Sequence, residues 1–484
     1  MKLLKKATLI GLLFMASRVN AQVDTTYSPS KTYSQSELLE DFTIFKNALI
    51  ELHPSLYRYQ SKATIDSVFE KTAGQINKSM TEIEFWRVLK PAIVSIHSGH
   101  TDLSFSSAEI NWRNKYRQNY LPPIFHEQDG QIFTVEHKKS TNTSQVLNVK
   151  SIDGMPAAQI LQTLKRYVSP EGMSDQFVNF QLQQYGFSNI YGEALGYKSI
   201  YKVIATDSLG VEKKITLNAG ISRPANSADK LWQLLETKKD ELNQVVSVDY
   251  PAGVKATAVL KIKNFTYDHY YLSFHEGFFK LMQQDNIENL VIDLRGNTGG
   301  NADIGLNLMR YLVNGTFAQI DREQIPETKI TFNDYILKQS GDNLNLKSTD
   351  KVEQYKYRLR RFGDSYPVAE NHFDKHVYVL IDKGTFSAAS IFAASLKENR
   401  KITLVGEETG GAETGSDGGF CIVQLPHSKL LLRIPPYWEN TVVKNPHSTH
   451  GLMPDVLVKQ DIKDVGKGDK VMEKVKELIL AEKR

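Results

Sequence analysis

Val377-Tyr378-Val379-Leu380-Ile381-Asp382-Lys383-Gly384-Thr385-Phe386-Ser387-Ala388-Ala389-Ser390-Ile391-Phe392-Ala393-Ala394 passes from a continuous apolar stretch, through a turn containing glycine, into a run of small and apolar residues. Consecutive apolar residues bounded by turn residues read as a fully buried strand, and the small residues after Ser387 read as the start of a packed helix. A serine at such a strand-to-helix turn presents its hydroxyl. The first N–H groups of the helix have no partner within it and can hold an oxyanion. Serine is also a favoured N-cap, so this stretch taken alone reads first as an ordinary structural cap.

The same grammar occurs upstream, where Leu290-Val291-Ile292-Asp293-Leu294 leads into Arg295-Gly296-Asn297-Thr298-Gly299-Gly300-Asn301. Glycines there let backbone amides approach a ligand closely. A phosphate-binding loop is the rival reading, but no Lys-Ser/Thr follows the glycines and the Gly-x-Gly-x-x-Gly spacing is missing, so a nucleotide is not expected. Two more apolar runs, Ala258–Ile262 and Ile402–Gly406, complete a set of four strands interleaved with helices, which predicts an α/β core from about Pro251 onward. Between Asn314 and His376 the chain is polar and without periodicity. An insertion of this length reads as a lid or mobile loop.

Ahead of the core the pattern differs. From Ser34 to about Pro91, apolar residues such as Leu38, Phe42, Phe45 and Leu49 recur at helical spacing, and Ser34/Glu37 and Thr81/Glu84 offer helix-starting capping boxes. This helical segment runs out in Ser95-Ile96-His97-Ser98-Gly99-His100-Thr101-Asp102-Leu103. Between Leu121 and Asn218, short alternating runs such as Ile132–Val135 and Val146–Val149 are separated by Asp-Gly turns, with one helical stretch from Ala157 to Tyr167. That middle segment reads either as a module that docks a peptide on an open sheet edge or as a spacer.

Met1 to Ala21 has a basic start, an apolar stretch and a small-residue finish, which predicts a secretory signal peptide. No later run is long and apolar enough to predict a membrane span. Cys421 is the single cysteine, so neither an intramolecular disulfide nor a lipid anchor after the leader is expected. A net charge of +4, from 59 basic and 55 acidic residues, makes no basic face, and Arg358 to Arg361 reads as a solvated surface rather than a nucleic-acid site. The expected divisions are residues 1–21 as leader, 22–115 as a helical domain, 116–222 as a small mixed domain and 223–484 as the α/β core with an insertion at 314–376. The expected location is a periplasm or the cell exterior.

Gly384-Thr385-Phe386-Ser387-Ala388-Ala389, Asp293 to Gly300, Gly406-Glu407-Glu408-Thr409-Gly410-Gly411, Gly99-His100-Thr101 and Gly451-Leu452-Met453-Pro454-Asp455 together resemble the C-terminal processing (tail-specific) serine peptidase family. The resemblance implies a Clp protease/crotonase-like core, a PDZ-like middle domain, a peptide or unfolded protein as substrate, and no cofactor. It implies Ser387 as nucleophile, with the Ala388 N–H and that of Gly299 or Gly300 as oxyanion donors. In one branch of the family a lysine within the glycine-rich motif is the base; this chain has Ala412 there. His100 matches the histidine of the tricorn-like branch, and a neutral imidazole is a competent base at neutral pH. His97, three residues earlier, is the alternative.

The third group of the site is left open. Where the tricorn-like pattern has a glutamate this chain has Ser448, and Glu439, His450 and Asp455 are the candidates near it in sequence. The pairs His97/His100 and His447/His450 lack the partners of a zinc site, so no metal is expected. Two rivals to a peptidase are a non-catalytic peptide-binding protein on the same scaffold and a crotonase-type acyl-CoA enzyme. A leader argues against the second, because coenzyme A is a cytoplasmic substrate.

Overall fold

The computed structural model describes residues 27–482 apart from 117–118, 139–142, 184, 221–241, 243–244, 268, 325–329, 340–365, 445–448 and 465–466. The expected leader, the Arg358 to Arg361 stripe, His447 and Ser448 therefore lie outside the described residues.

Six strands make the core sheet, in the order Val246–Asp249, Thr257–Ile262, Asn289–Asp293, His376–Ile381, Thr403–Gly406 and Val456–Leu457. The first pair is antiparallel and the others are parallel. Burial of both faces explains why the central strands read as unbroken apolar runs. On one face Leu290, Ile292, Val379 and Ile381 pack with Phe279, Ile304 and Phe392 of the covering helices. On the other, Val291, Tyr378, Leu380 and Val405 pack with Val471, Val475 and Ile479 of the C-terminal helix Lys470–Glu482. The two outer strands escape a reading by pattern, because one is half exposed and the other has only two residues.

The N-terminal helices begin where their capping boxes put them. Ser34 and Glu37 open Gln35–Leu52, and Thr81 and Glu84 open Glu82–Val94, with both reciprocal bonds formed in each case. Leu38, Phe45 and Leu49 of the first helix join Val423, Leu432 and Ile434 in one core. The helical segment is thus fused to the C-terminal half of the chain, and a short strand completes the joint. Asp102–Ser104 pairs antiparallel with Leu431–Ile434 at the edge of a four-stranded sheet, with Leu103 opposite Leu432.

The middle segment is a mainly antiparallel sheet ordered Phe125–Gln128, Gln131–Lys138, Thr143–Ile152, Ile200–Thr206, Glu212–Asn218, with helix Ala157–Lys165 beside it. Two further helices, Gln176–Gln181 and Tyr185–Leu195, were not expected. The first is a turn and a half long and the second contains Gly186 and Gly192, which blur a helical pattern.

In the stretch 314–376, read as a lid or mobile loop, residues 325–329 and 340–365 lie outside the described residues. Its described parts include Ile320–Gln324, paired with Tyr437–Thr441, and Ile336–Gln339, paired with Cys421–Gln424. These are structural strands of the C-terminal sheets. Ile-Asp-Arg-Glu-Gln has a single apolar residue, so no alternation announces it.

Candidate active site

Strand His376–Ile381 ends at Asp382, whose Oδ1 accepts the N–H of Gly384 at 2.9 Å and that of Gly296 at 2.8 Å, joining the serine turn to the glycine-rich turn beside it. Thr385 Oγ1 donates to Leu294 O at 3.0 Å, and Phe386 N–H donates to Asn297 O at 3.0 Å. Laced on both sides, Ser387 is held at φ 53°, ψ −129° immediately before helix Ala388–Asn399. A non-glycine residue with positive φ costs on the order of 1–3 kcal/mol and persists only where its surroundings enforce it. The Ser387 side chain makes no N-cap bond, which argues against the structural-cap reading.

His100 and Ser387 meet across 287 residues, with Nε2 2.9 Å from Oγ. Three contacts hold the histidine. Its carbonyl accepts from Arg433 Nη1 at 2.9 Å, strand Asp102–Ser104 anchors it on Leu431–Ile434, and its ring stacks on Phe386 with centroids 4.6 Å apart. Phe386 in turn stacks on Phe177 of the middle segment at 3.8 Å and 6°. Burial first, and then the Arg433 charge, hold the imidazole down to about 4, so the ring is neutral at neutral pH.

His97 is turned to other work. Its Nδ1–H donates to Gly172 O at 2.7 Å while Gln60 Nε2 lies 3.3 Å from its Nε2, and its own φ is 65°. His450 is exposed, with Nδ1 3.3 Å from Glu408 Oε1, and Asp455 accepts from Leu404 N–H and Lys397, so neither reaches His100. Glu439 is buried in the wall of the cavity beside Ser387. Ala412 is buried and bridges to Gly451, leaving no amine at that place. Among the described residues no group of three His, Cys, Asp or Glu is placed to hold a metal ion.

The two glycines named as oxyanion donors differ. Gly299 N–H is occupied, donating to Asn297 Oδ1 at 2.9 Å, and its carbonyl accepts from Phe265 N–H. Its part is steric: with φ +96°, a Cβ there would lie 2.8 Å from Ser387 Cβ. The amides of Gly300 and Ala388 meet no acceptor among the described residues, and both residues line the cavity with Ser387. That cavity, of about 940 Å³, is also bounded by Thr298, Phe420 and Tyr437.

One acidic residue at the site has no signal in the sequence. Glu171, buried in a turn of the middle segment, has Oε2 3.7 Å from His100 Nδ1 and accepts the Gly99 N–H at 2.9 Å. It stands 71 positions after His100 in a Ser-Pro-Glu-Gly turn that carries no motif, so only the fold brings it in.

Residues 256–458 match the model of peptidase family S41. No curated protein sequence matches the chain. Among solved structures the chain is similar to mature CPAF, at 14% identity over 92% of this chain and 97% of that one, with a TM-score of 0.62. The complex of mature CPAF with lactacystin gives 14% identity, 92% and 98% coverage and a TM-score of 0.61. The photosystem II D1 C-terminal processing protease matches at 14% identity over 89% and 96%, with a TM-score of 0.43. The fold is α/β with a Clp protease/crotonase-like core, and the match over residues 256–458 indicates a serine-type peptidase.

Proposed function

We propose that this chain hydrolyses peptide bonds in peptides or unfolded proteins with Ser387 as nucleophile and His100 as general base, in the manner of the tricorn-like branch. The observation that carries the reading is the 2.9 Å contact between His100 Nε2 and Ser387 Oγ on a backbone that sets the hydroxyl at the mouth of a cavity. Ser387 Oγ attacks the scissile carbonyl carbon as its proton passes to Nε2. The tetrahedral oxyanion is held by the free amides of Ala388 and Gly300. Collapse expels the amine, which takes the proton from Nε2, and a water molecule then releases the acyl group by the same route. A neutral, buried imidazole has the lone pair this requires.

Around that centre, the reading extends to the other segments. The open-edged antiparallel sheet between 116 and 222 supports a PDZ-like module that receives part of the substrate. The leader-like residues 1–21 support export to a periplasm or beyond. Among the described residues no helix is long and apolar enough to cross a membrane.

The test is covalent labelling with a fluorophosphonate, followed by mapping of the adduct and assay on an unfolded protein. Wild-type protein should be labelled on Ser387, and Ser387→Ala should lose both adduct and hydrolysis. Full hydrolysis by Ser387→Ala would falsify the reading. Tight peptide binding by a wild-type protein that takes no label would favour the non-catalytic scaffold.

A further inference from the structure

We infer that Glu171 is the positioning residue for His100, accepting the Nδ1 proton and so fixing the ring in the tautomer that leaves Nε2 free; the inference rests on the Ser387/His100 reading above. For Nε2 to take a proton from Ser387, the ring's own proton must sit on Nδ1, and a buried N–H needs an acceptor. His100 Nδ1 is buried and has no hydrogen-bond partner among the described residues, and Glu171 Oε1 is in the same state. The two side chains are already adjacent, with Nδ1 3.7 Å from Glu171 Oε2. Catalytic hydrogen bonds are often long in an unliganded enzyme and tighten around substrate.

The carboxylate is held too firmly for this proximity to be incidental. Gly99 N–H, next to the histidine, donates to Oε2. The following residue, Gly172, donates its N–H to His97 O at 3.0 Å and accepts from His97 Nδ1, and Met173 N–H donates to Thr449 O at 2.8 Å. A Cβ at Gly172, where φ is +68°, would lie 2.6 Å from Thr449 O, so the turn admits only glycine at that contact. Glu171 is thus pinned from the histidine segment on one side and from the C-terminal segment on the other.

Charged neighbours tune the pair. Asp417, held by the hydroxyls of Ser55 at 2.7 Å and Ser98 at 2.6 Å, adds negative charge, while Arg433 adds positive charge. Arg58 adds positive charge at Glu171, and His53, Tyr59 and Glu439 are further titratable groups acting on this pocket. Burial, then Asp417, raises the Glu171 carboxyl well above the usual range, while a positive charge on the adjacent ring favours the ionised carboxylate. In the step itself the serine proton goes to Nε2, the Nδ1 proton stays on the ring and donates to Glu171, and no proton is transferred to the carboxylate.

The experiment compares Glu171→Gln and Glu171→Asp with wild type for kcat and KM, and records the imidazole proton resonances of His100 by NMR in a Ser387→Ala background. Glu171→Gln keeps the shape and the Gly99 acceptor, and should lower kcat by on the order of a hundredfold with KM little changed. Glu171→Asp should recover part of that loss. In the inert background, a far-downfield Nδ1–H signal is expected and should vanish on Glu171→Gln. Wild-type kcat in Glu171→Gln, or an Nδ1–H signal indifferent to it, overturns the inference while leaving Ser387 as nucleophile. Retained hydrolysis in Ser387→Ala alone overturns the reading beneath it.

Discussion

At the scale of single residues, the proposed mechanism depends on an imidazole kept uncharged by its surroundings. The folded value of His100, about 4, lies below the 6.5 of a free imidazole. On the proposed mechanism protonation of His100 silences the base, so kcat/KM should rise with pH through about 4 and be level by about 6, where a solvated histidine would still be climbing. A pH profile with its acid limb near 6.5 would contradict the burial described. Glycines supply a second residue-scale test. Gly296, at φ +71°, faces open space, and Gly296→Ala should cost about 1 kcal/mol through backbone strain. Gly299→Ala puts a methyl against Ser387 Cβ and should cut kcat by on the order of a hundredfold through displacement of Ser387, the proposed nucleophile. Comparing unfolding midpoints with kcat separates the two. Ser387 at a strand-to-helix turn was legible from its flanking residues alone. The choice between His97 and His100 was not, because both stand in one turn and only the left-handed backbone at His97 directs its ring to Gly172. Glu171 was invisible for a related reason: a carboxylate in a turn acquires meaning from whatever the fold sets beside it.

Elements were legible where local physics decides them. The capping boxes marked two helix starts, and the doubly buried strands marked the core sheet. Thr81→Ala removes the one hydroxyl that both accepts the Glu84 N–H and donates to the Glu84 carboxylate, and should lower stability by about 1 kcal/mol in urea titration with activity otherwise intact. Elements whose pairing lies far away were not legible. Asp102–Ser104 is three residues long, and nothing within it says that Leu431–Ile434 is its partner. Likewise Ile320–Gln324 and Ile336–Gln339 are strands only because C-terminal strands receive them. Short edge strands owe their conformation to non-local bonds, which a reading by periodicity does not sample.

The whole molecule buries His53, His100 and His275 in their neutral forms. Burial holds His275, bonded to Tyr267 and Asn307, down to about 4. A histidine whose folded value is depressed contributes its full stability above the unfolded value of 6.5, and that stability is lost as pH falls from there toward 4, because the unfolded chain takes up the proton first. Urea midpoints should therefore drop between about pH 7 and about pH 5, by an amount reduced in His275→Asn; a flat profile would mean these rings are solvated.

The joint between Asp102–Ser104 and Leu431–Ile434 also carries a consequence for biosynthesis. A ribosome has translated residues 95–104 long before it reaches codon 434, and until then the segment carrying His100 has no strand to dock on. An unfinished polypeptide therefore holds no working centre, even once Ser387 has emerged. On the proposed mechanism, cutting power would arrive only once residues 431–434 have followed.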